Sequence, residues 1–301
     1  GRVALHGMNK RLEIGTTHIR EELGEDAKTL NSVDMQLKLT DALEIKAESA
    51  ITESNSAGTK TEATANYVSV DYRGEQLQTK AYIRTEEAGF GLNQLNASEG
   101  STEKLGIEGT YYLTSQQYIN ALVSDQNTLG SQQRLSMAEV KLNQEYEFGR
   151  YHLGGRVNER TSTLGDSTSI QQVLAGHSFT LFNGKVLLNS DVEVNLKDNE
   201  DVYDLLRLGT DYRINEHVTL FGVFETGFES NAPQRSVGGL RATPWQGMQI
   251  NNSVEEQQSK DGTRLFAVHG LNQEVNLDDH WQISFGFDQA RDLENSVNDS
   301  E

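Results

Sequence analysis

The sequence has no cysteine, two prolines in 301 residues and no apolar run of 18 or more. Lack of thiols excludes disulfides, thiolate-held metals and thiol nucleophiles. Lack of a long apolar run excludes a membrane-crossing helix, but not crossing strands, which need apolar residues only at alternate positions. Basic residues are scarce too: 26 Lys and Arg stand against 45 Asp and Glu, a net charge of −19. Phosphate backbones are gripped by clustered Lys and Arg, so this balance argues against nucleic acid as a partner. It argues equally against docking on an anionic bilayer through a basic patch. Aromatic residues, at 7%, are few for strands that would meet a membrane interface. Gly1 opens no secretory signal, having neither a basic segment nor an apolar core behind it. The numbering is therefore expected to start in a mature chain or inside a longer one.

What the sequence does have is alternation. Val33, Met35, Leu37 and Leu39 alternate with Asp34, Gln36 and Lys38, then Leu43, Ile45 and Ala47 alternate with Glu44, Lys46 and Glu48. The short break at Thr40–Ala42 makes this a hairpin with one apolar face. The same rhythm runs through 185–196, 206–213, 218–225, 248–255 and 281–288, which place 22 residues on each face. The apolar face carries no charge there; the other carries Lys185, Asp191, Glu193, Arg207, Asp211, Arg213, Glu225, Glu255 and Asp288. At the chain's overall charge content, so clean a face would arise by chance roughly once in 400 trials. Only the acidic Glu21–Lys28 stretch could form a turn or two of helix.

Connections give a second signal. Strands of about ten residues, about eighteen in all, are joined by connections that alternate short and long. Short ones fall near Gly7–Lys10 and at Thr40–Ala42, Arg73–Glu75, Leu113–Gln116, Glu147–Arg150, Leu181–Gly184, Ile214–His217, Thr243–Gln246 and Asn276–Asp279. Long ones fall at Glu21–Ser32, Ser54–Lys60, Glu86–Glu103, Gln126–Gln133, Ser162–Thr168, Lys197–Val202, Gly227–Gln234 and Ser259–Gly262, rich in Gly, Ser, Asn and Asp. Aromatics cluster beside the short turns, where Tyr111, Tyr151, Tyr212, Trp245 and Trp281 are candidates for a membrane–water interface. These features predict an all-β, antiparallel, up-and-down transmembrane β-barrel of about 18 or more strands. The whole of 1–301 reads as one barrel domain, incomplete at one or both ends; a segment of a larger barrel is the variant reading. Missing cysteine suits a chain that crosses an oxidising periplasm.

From Tyr203 onward the wording resembles a known family. Leu206-Arg207-Leu208-Gly209-Thr210-Asp211-Tyr212-Arg213-Ile214-Asn215-Glu216-His217 is similar to strand–turn units of proteobacterial outer-membrane barrels. Gly239-Leu240-Arg241-Ala242-Thr243-Pro244-Trp245 and Gly270-Leu271-Asn272-Gln273, with Trp281, resemble the barrel region of long surface proteins carrying tandem immunoglobulin-like repeats. The resemblance covers about the last hundred residues. It implies a Gram-negative outer-membrane location and a barrel continuing into further strands, with no reaction attached. Glu301 ends a polar tail without the aromatic residue that usually closes such barrels, so the chain is expected to be a piece of a larger one.

No catalytic motif stands out: G-x-S-x-G, H-E-x-x-H and the P-loop are all missing. His177-Ser178 cannot form a dyad on one strand, since neighbours point to opposite faces, and Asp278-Asp279-His280 reads as a polar turn. The expectation is a non-enzyme whose function lies on the polar face. Arg156, Arg160, Asp191, Glu193, Arg207, Asp211, Arg213, Glu225, Arg241 and Asp288 are the predicted pore-lining residues of a mixed-charge lumen. No cofactor is implied, although Glu21–Asp26 and Asp198–Asp201 offer oxygen ligands for divalent cations on outer loops. Expected partners are outer-membrane lipid, lipopolysaccharide, and subunits or domains of a larger surface assembly. Three functions stay open: a pore or export conduit, an anchor for large surface-exposed or periplasmic domains, and a soluble acidic all-β binding module.

Overall fold

The computed structural model describes residues 1–23, 26–56, 59–91, 101–128, 133–162, 166–197, 202–229, 232–259, 262–276 and 282–293. Eighteen strands follow in chain order: β1 (Arg2–Gly7), β2 (Leu12–Leu23), β3 (Asp26–Lys38), β4 (Leu43–Ser56), β5 (Thr59–Arg73), β6 (Leu77–Glu86), β7 (Thr102–Tyr112), β8 (Gln117–Thr128) and β9 (Gln133–Tyr146). β10 (Gly149–Thr161), β11 (Ser167–Leu181), β12 (Val186–Asn195), β13 (Leu205–Arg213), β14 (Val218–Gly227), β15 (Gln234–Ala242), β16 (Met248–Ser259), β17 (Gly262–Asn276) and β18 (Gln282–Asp292) complete them. Contacts divide the chain into two units, Gly1–Leu142 with Gly155–Gln171, and Asn143–Gly154 with Gln172–Glu301.

In the first unit, β1 to β8 pair antiparallel with their sequence neighbours. The register sets Leu37 opposite Ile45, Ile45 opposite Val70, Val68 opposite Ile83 and Ile107 opposite Val123. One apolar face therefore runs unbroken across the strands, and a one-residue slip anywhere would invert it. In the second unit β11 to β18 pair the same way, with Phe179 opposite Leu188, Leu208 opposite Phe224 and Leu271 opposite Phe287.

The apolar face is the uncovered one. Leu105 and Ile107 are 58% and 52% exposed, and Phe285 and Phe287 exceed half. Buried positions lie instead on the polar side, where Ser32, Glu44, Ala50, Thr52, Ala63, Ser69 and Asp71 of the first unit are all nearly inaccessible. A water-soluble sheet buries its apolar side, so this inversion suits a sheet with hydrocarbon against its apolar face.

The short turns share a device. Thr40 Oγ1 accepts from the amides of Ala42 and Leu43, and Thr114 Oγ1 accepts from those of Gln116 and Gln117. Asn215 Oδ1 does the same for His217, 2.8 Å away. Between β15 and β16, Gly247 has φ +82, and a Cβ there would sit 2.1 Å from the Glu274 carbonyl. Only glycine fits that turn.

Two expectations need correction at the opposite end of the strands. Glu21–Ser32, Ser54–Lys60 and Ser259–Gly262 are not long loops: β2 runs to Leu23, β3 starts at Asp26, β4 ends at Ser56 and β5 begins at Thr59. Strands reach 12 to 15 residues there. Nor does Glu21–Lys28 turn helically, since Glu21 faces Lys28 across the hairpin. The cause is that these tips are polar on both faces, so the period-2 signal fades while backbone pairing continues. On the apolar side of the sheet, Lys60 bridges Glu53 and Glu62 at 3.2 and 2.9 Å, and Arg134 meets Asp125 at 2.8 Å. The apolar belt from Leu43 to Ile51 thus spans ~25 Å along the strand before charge takes over.

Ile107→Lys should cost about 2–4 kcal/mol in denaturant titrations of protein folded into lipid vesicles. Glu108→Gln, one residue along but on the other face, should cost under ~1 kcal/mol. A neutral Ile107→Lys, as for an exposed site in water, would contradict a lipid-facing surface.

Candidate functional site: the polar face

The polar face is built of charges laid in rows across the strands. In the second unit, the register aligns Asp191 (β12), Arg207 (β13), Glu225 (β14) and Arg235 (β15) directly opposite one another in turn. Signs alternate along the row, which is the favourable arrangement for cross-strand neighbours. Arg207 Nε lies 2.7 Å from Glu225 Oε2. Arg235 grips Glu255 of β16 with two bonds of 2.5 and 3.0 Å, and Glu255 also accepts from Gln257. The bidentate fork suits a guanidinium and carboxylate, and Glu255 is 7% exposed.

The row extends the other way through a glycine. His152 of β10 reaches Asp191 of β12 at 3.6 Å, passing over Gly176 of β11. A Cβ at Gly176 would lie 2.2 Å from the imidazole and 2.3 Å from the carboxylate. The missing side chain is what lets the two meet. The first unit repeats the device: Arg2 of β1 spans Gly15 of β2 to bond Asp34 of β3 at 2.6 Å, holding Glu13 at 2.8 Å as well. Further along, Asp71, Lys80 and Glu108 sit in register over β5, β6 and β7, and Lys80 Nζ lies between the Tyr67 and Tyr82 rings at 5.6 and 5.8 Å. Glu44 takes Lys46 and Arg73 at 3.3 and 3.6 Å, and Glu139 takes Arg156 and Lys141 at 2.8 and 2.7 Å.

The segment after β6 folds onto this face. Gly91 N–H donates to Thr52 Oγ1 at 3.2 Å, and Thr52 is 1% exposed. Ala50 and Ala63, beside Thr52 on the same face, are buried as well.

The ten residues expected on the polar face all stand there. Arg156 bonds Glu139, Arg160 bonds Gln133 at 3.1 Å, and Arg241 bonds Asp211 at 2.9 Å over the Phe221 ring. Asp191, Arg207 and Glu225 form the row, while Glu193, Arg213 and Asp288 take the same side by register. Sequence reasoning missed Glu44, Asp71, Lys80, Glu108, Glu139, Arg235 and Glu255 as partners. Each lies in phase with the alternation, so the signal was present; what pairs with what depends on register.

Among the aromatics, Tyr111, Tyr151 and Tyr212 lie exposed on the apolar face, and Trp245 Nε1–H donates to Gln273 at 2.8 Å in its turn. Trp281 lies outside the described residues, as do Asp278-Asp279-His280 and Asp198–Asp201. Tyr146 belongs with this set and was overlooked; its hydroxyl bonds His177, whose ring packs between Tyr146 and Phe179. His177 therefore faces the apolar side, and Ser178 the other.

No protein-family model matches the sequence, and no curated protein is significantly similar to it. Solved structures do share its fold. A triple mutant of the Rhodopseudomonas blastica porin is similar over 95% of this chain and 99% of its own, with 10% identity and a TM-score of 0.51. A mutant of the ferric enterobactin receptor from Pseudomonas aeruginosa is similar over 93% of this chain and 61% of its own, with 11% identity and a TM-score of 0.53. The class is thus an all-β, antiparallel, up-and-down β-barrel fold of 18 strands.

Arg235→Ala should destabilise the folded protein by about 2 kcal/mol, because it leaves a buried carboxylate without its charged partner and with Gln257 as its remaining donor. In a double-mutant cycle with Glu255→Ala, the coupling should be ~1–3 kcal/mol. Additive effects would show that the row is not energetically linked.

Proposed function

We propose that the chain forms a barrel in the outer membrane of a Gram-negative bacterium, with its polar face lining a water-filled channel. The observation that carries this is the inversion of faces, apolar outward and exposed, charged and partly buried on the other side. Likeness of fold to a porin supports the same reading. Arg156, Arg160, Asp191, Glu193, Arg207, Asp211, Arg213, Glu225, Arg241 and Asp288 would line the lumen, with the segment ending at Gly91 narrowing it on one wall. Tyr111, Tyr151 and Tyr212 would sit at the membrane–water interface on the short-turn side. The charged pairs beyond the apolar belt, Lys60 with Glu53 and Glu62 and Arg134 with Asp125, would meet lipopolysaccharide headgroups, where divalent cations could bridge acidic loops to phosphate. No chemistry is assigned to the chain beyond passage.

An anchor is the second reading, favoured by the resemblance of 203–281 to barrels of long surface proteins with immunoglobulin-like repeats. In that case the same barrel holds other domains to the membrane and conducts little.

Refolded protein should insert into lipid vesicles and show heat-modifiable gel mobility. In planar bilayers it should conduct. Because wall charges are matched in rows, the cation-to-anion permeability ratio should fall within about threefold of unity. Insertion without conductance would favour the anchor; a β-rich monomer stable in plain buffer would overturn both.

A further inference from the structure

Most charged side chains on the polar face have a partner, but one patch of the second unit is different. There β15 to β18 place two short rows in register: Arg241, Asn251, Gly270 and Asp288, and beside it Gln249, Asn272 and Gly286. The two glycines leave a depression, and a Cβ at Gly270 would fall 2.8 Å from the Asp288 carboxylate. The groove over them measures about 630 Å³. Among the described residues, the side chains of Gln249, Asn251, Asn272 and Asp288 have no hydrogen-bond or ion-pair partner. Arg241 is held by Asp211 and by the Phe221 ring 4.4 Å away, which spends one of its five N–H groups and leaves the rest.

We propose that this groove binds an uncharged saccharide of one or two rings. Three amides present donors and acceptors together, which is what a sugar hydroxyl, itself donor and acceptor, requires. The carboxylate and fixed guanidinium supply planar groups that take two neighbouring hydroxyls each. A charged ligand would need a matching cluster, whereas Arg241 is already neutralised by Asp211 and the groove's two carboxylates are set apart, Glu216 beside His217 at 3.6 Å and Asp288 over the glycine floor. Backbone bared at Gly270 and Gly286 gives a flat floor for a ring. The proposal rests on the channel reading for the route by which a sugar arrives, but binding itself needs no conduction.

The test is titration calorimetry on the refolded full chain in an amine-oxide detergent, with maltose, sucrose and N-acetylglucosamine as probes and spermidine as the charged control. At least one sugar should bind with a dissociation constant of ~1 mM. Asn251→Ala with Asn272→Ala should weaken it about tenfold or more, while Asp288→Asn, which keeps the planar group, should stay within about threefold of the parent. Glu108→Gln in the first unit should leave binding unchanged. Heat-modifiable mobility of every variant checks folding. Absence of binding by all three sugars, binding indifferent to the amide variants, or preference for spermidine that Asp288→Asn abolishes would overturn the proposal. Conductance recorded without sugar separates the two readings: a conducting protein that binds no sugar keeps the channel and loses the site, and a silent one that binds keeps the site and loses the channel.

Discussion

The structure depends on one constraint: a strand that meets hydrocarbon must satisfy every backbone N–H and C=O within the sheet. Neighbour-to-neighbour antiparallel pairing does this, and it forces side chains to alternate between two surroundings. Everything else follows from what the two faces then carry. A face against hydrocarbon can hold no charge within its belt, and from Leu43 to Ile51 or Tyr111 to Leu105 the apolar face holds none. Among the described residues, charge returns on that side where the strands outrun the belt, as at Glu53, Lys60, Glu62, Asp125 and Arg134.

On the other side the constraint is electrostatic. Charges laid along a strand are about 7 Å apart at the backbone on one face, a gap that long side chains close at Glu44–Lys46, Arg84–Glu86 and Glu139–Lys141, while the pairs within a row run across strands. The register then decides whether a wall charge meets an opposite one. Asp191, Arg207, Glu225 and Arg235 meet in sequence because four strands agree in register to the residue. Glycine extends the reach, as at Gly176 and Gly15, where removal of one side chain lets residues two strands apart touch. The polar face this makes is densely charged with its signs matched in rows, while among the described residues the amides of Gln249, Asn251 and Asn272 on β16 and β17 have unspent hydrogen-bonding groups.

How much of this the sequence carries depends on which face writes it. The strand count and the face of each of the ten expected wall residues could be read, because the apolar belt imposes a period of two. The strand ends at Leu23, Asp26, Ser56 and Thr59 could not, because there both faces are polar and only the backbone continues the pairing. The partners of Arg235, Lys80 and Glu139 were hidden for a different reason: pairing across strands is a property of register, which a single strand's pattern leaves open. Tyr146 was passed over because its role depends on His177, 31 residues away.

The central claim is that the two faces of each strand meet different solvents. The chain has no cysteine, so single cysteines placed along β7, omitting its glycines, can carry a spin label without background. In lipid vesicles, labels at Leu105, Ile107 and Tyr111 should collide readily with dissolved oxygen, and labels at Lys104, Glu108 and Thr110 with a water-soluble nickel complex. That period-two exchange is the predicted result. Equal access of the nickel complex to both sets would contradict the account and return the chain to water.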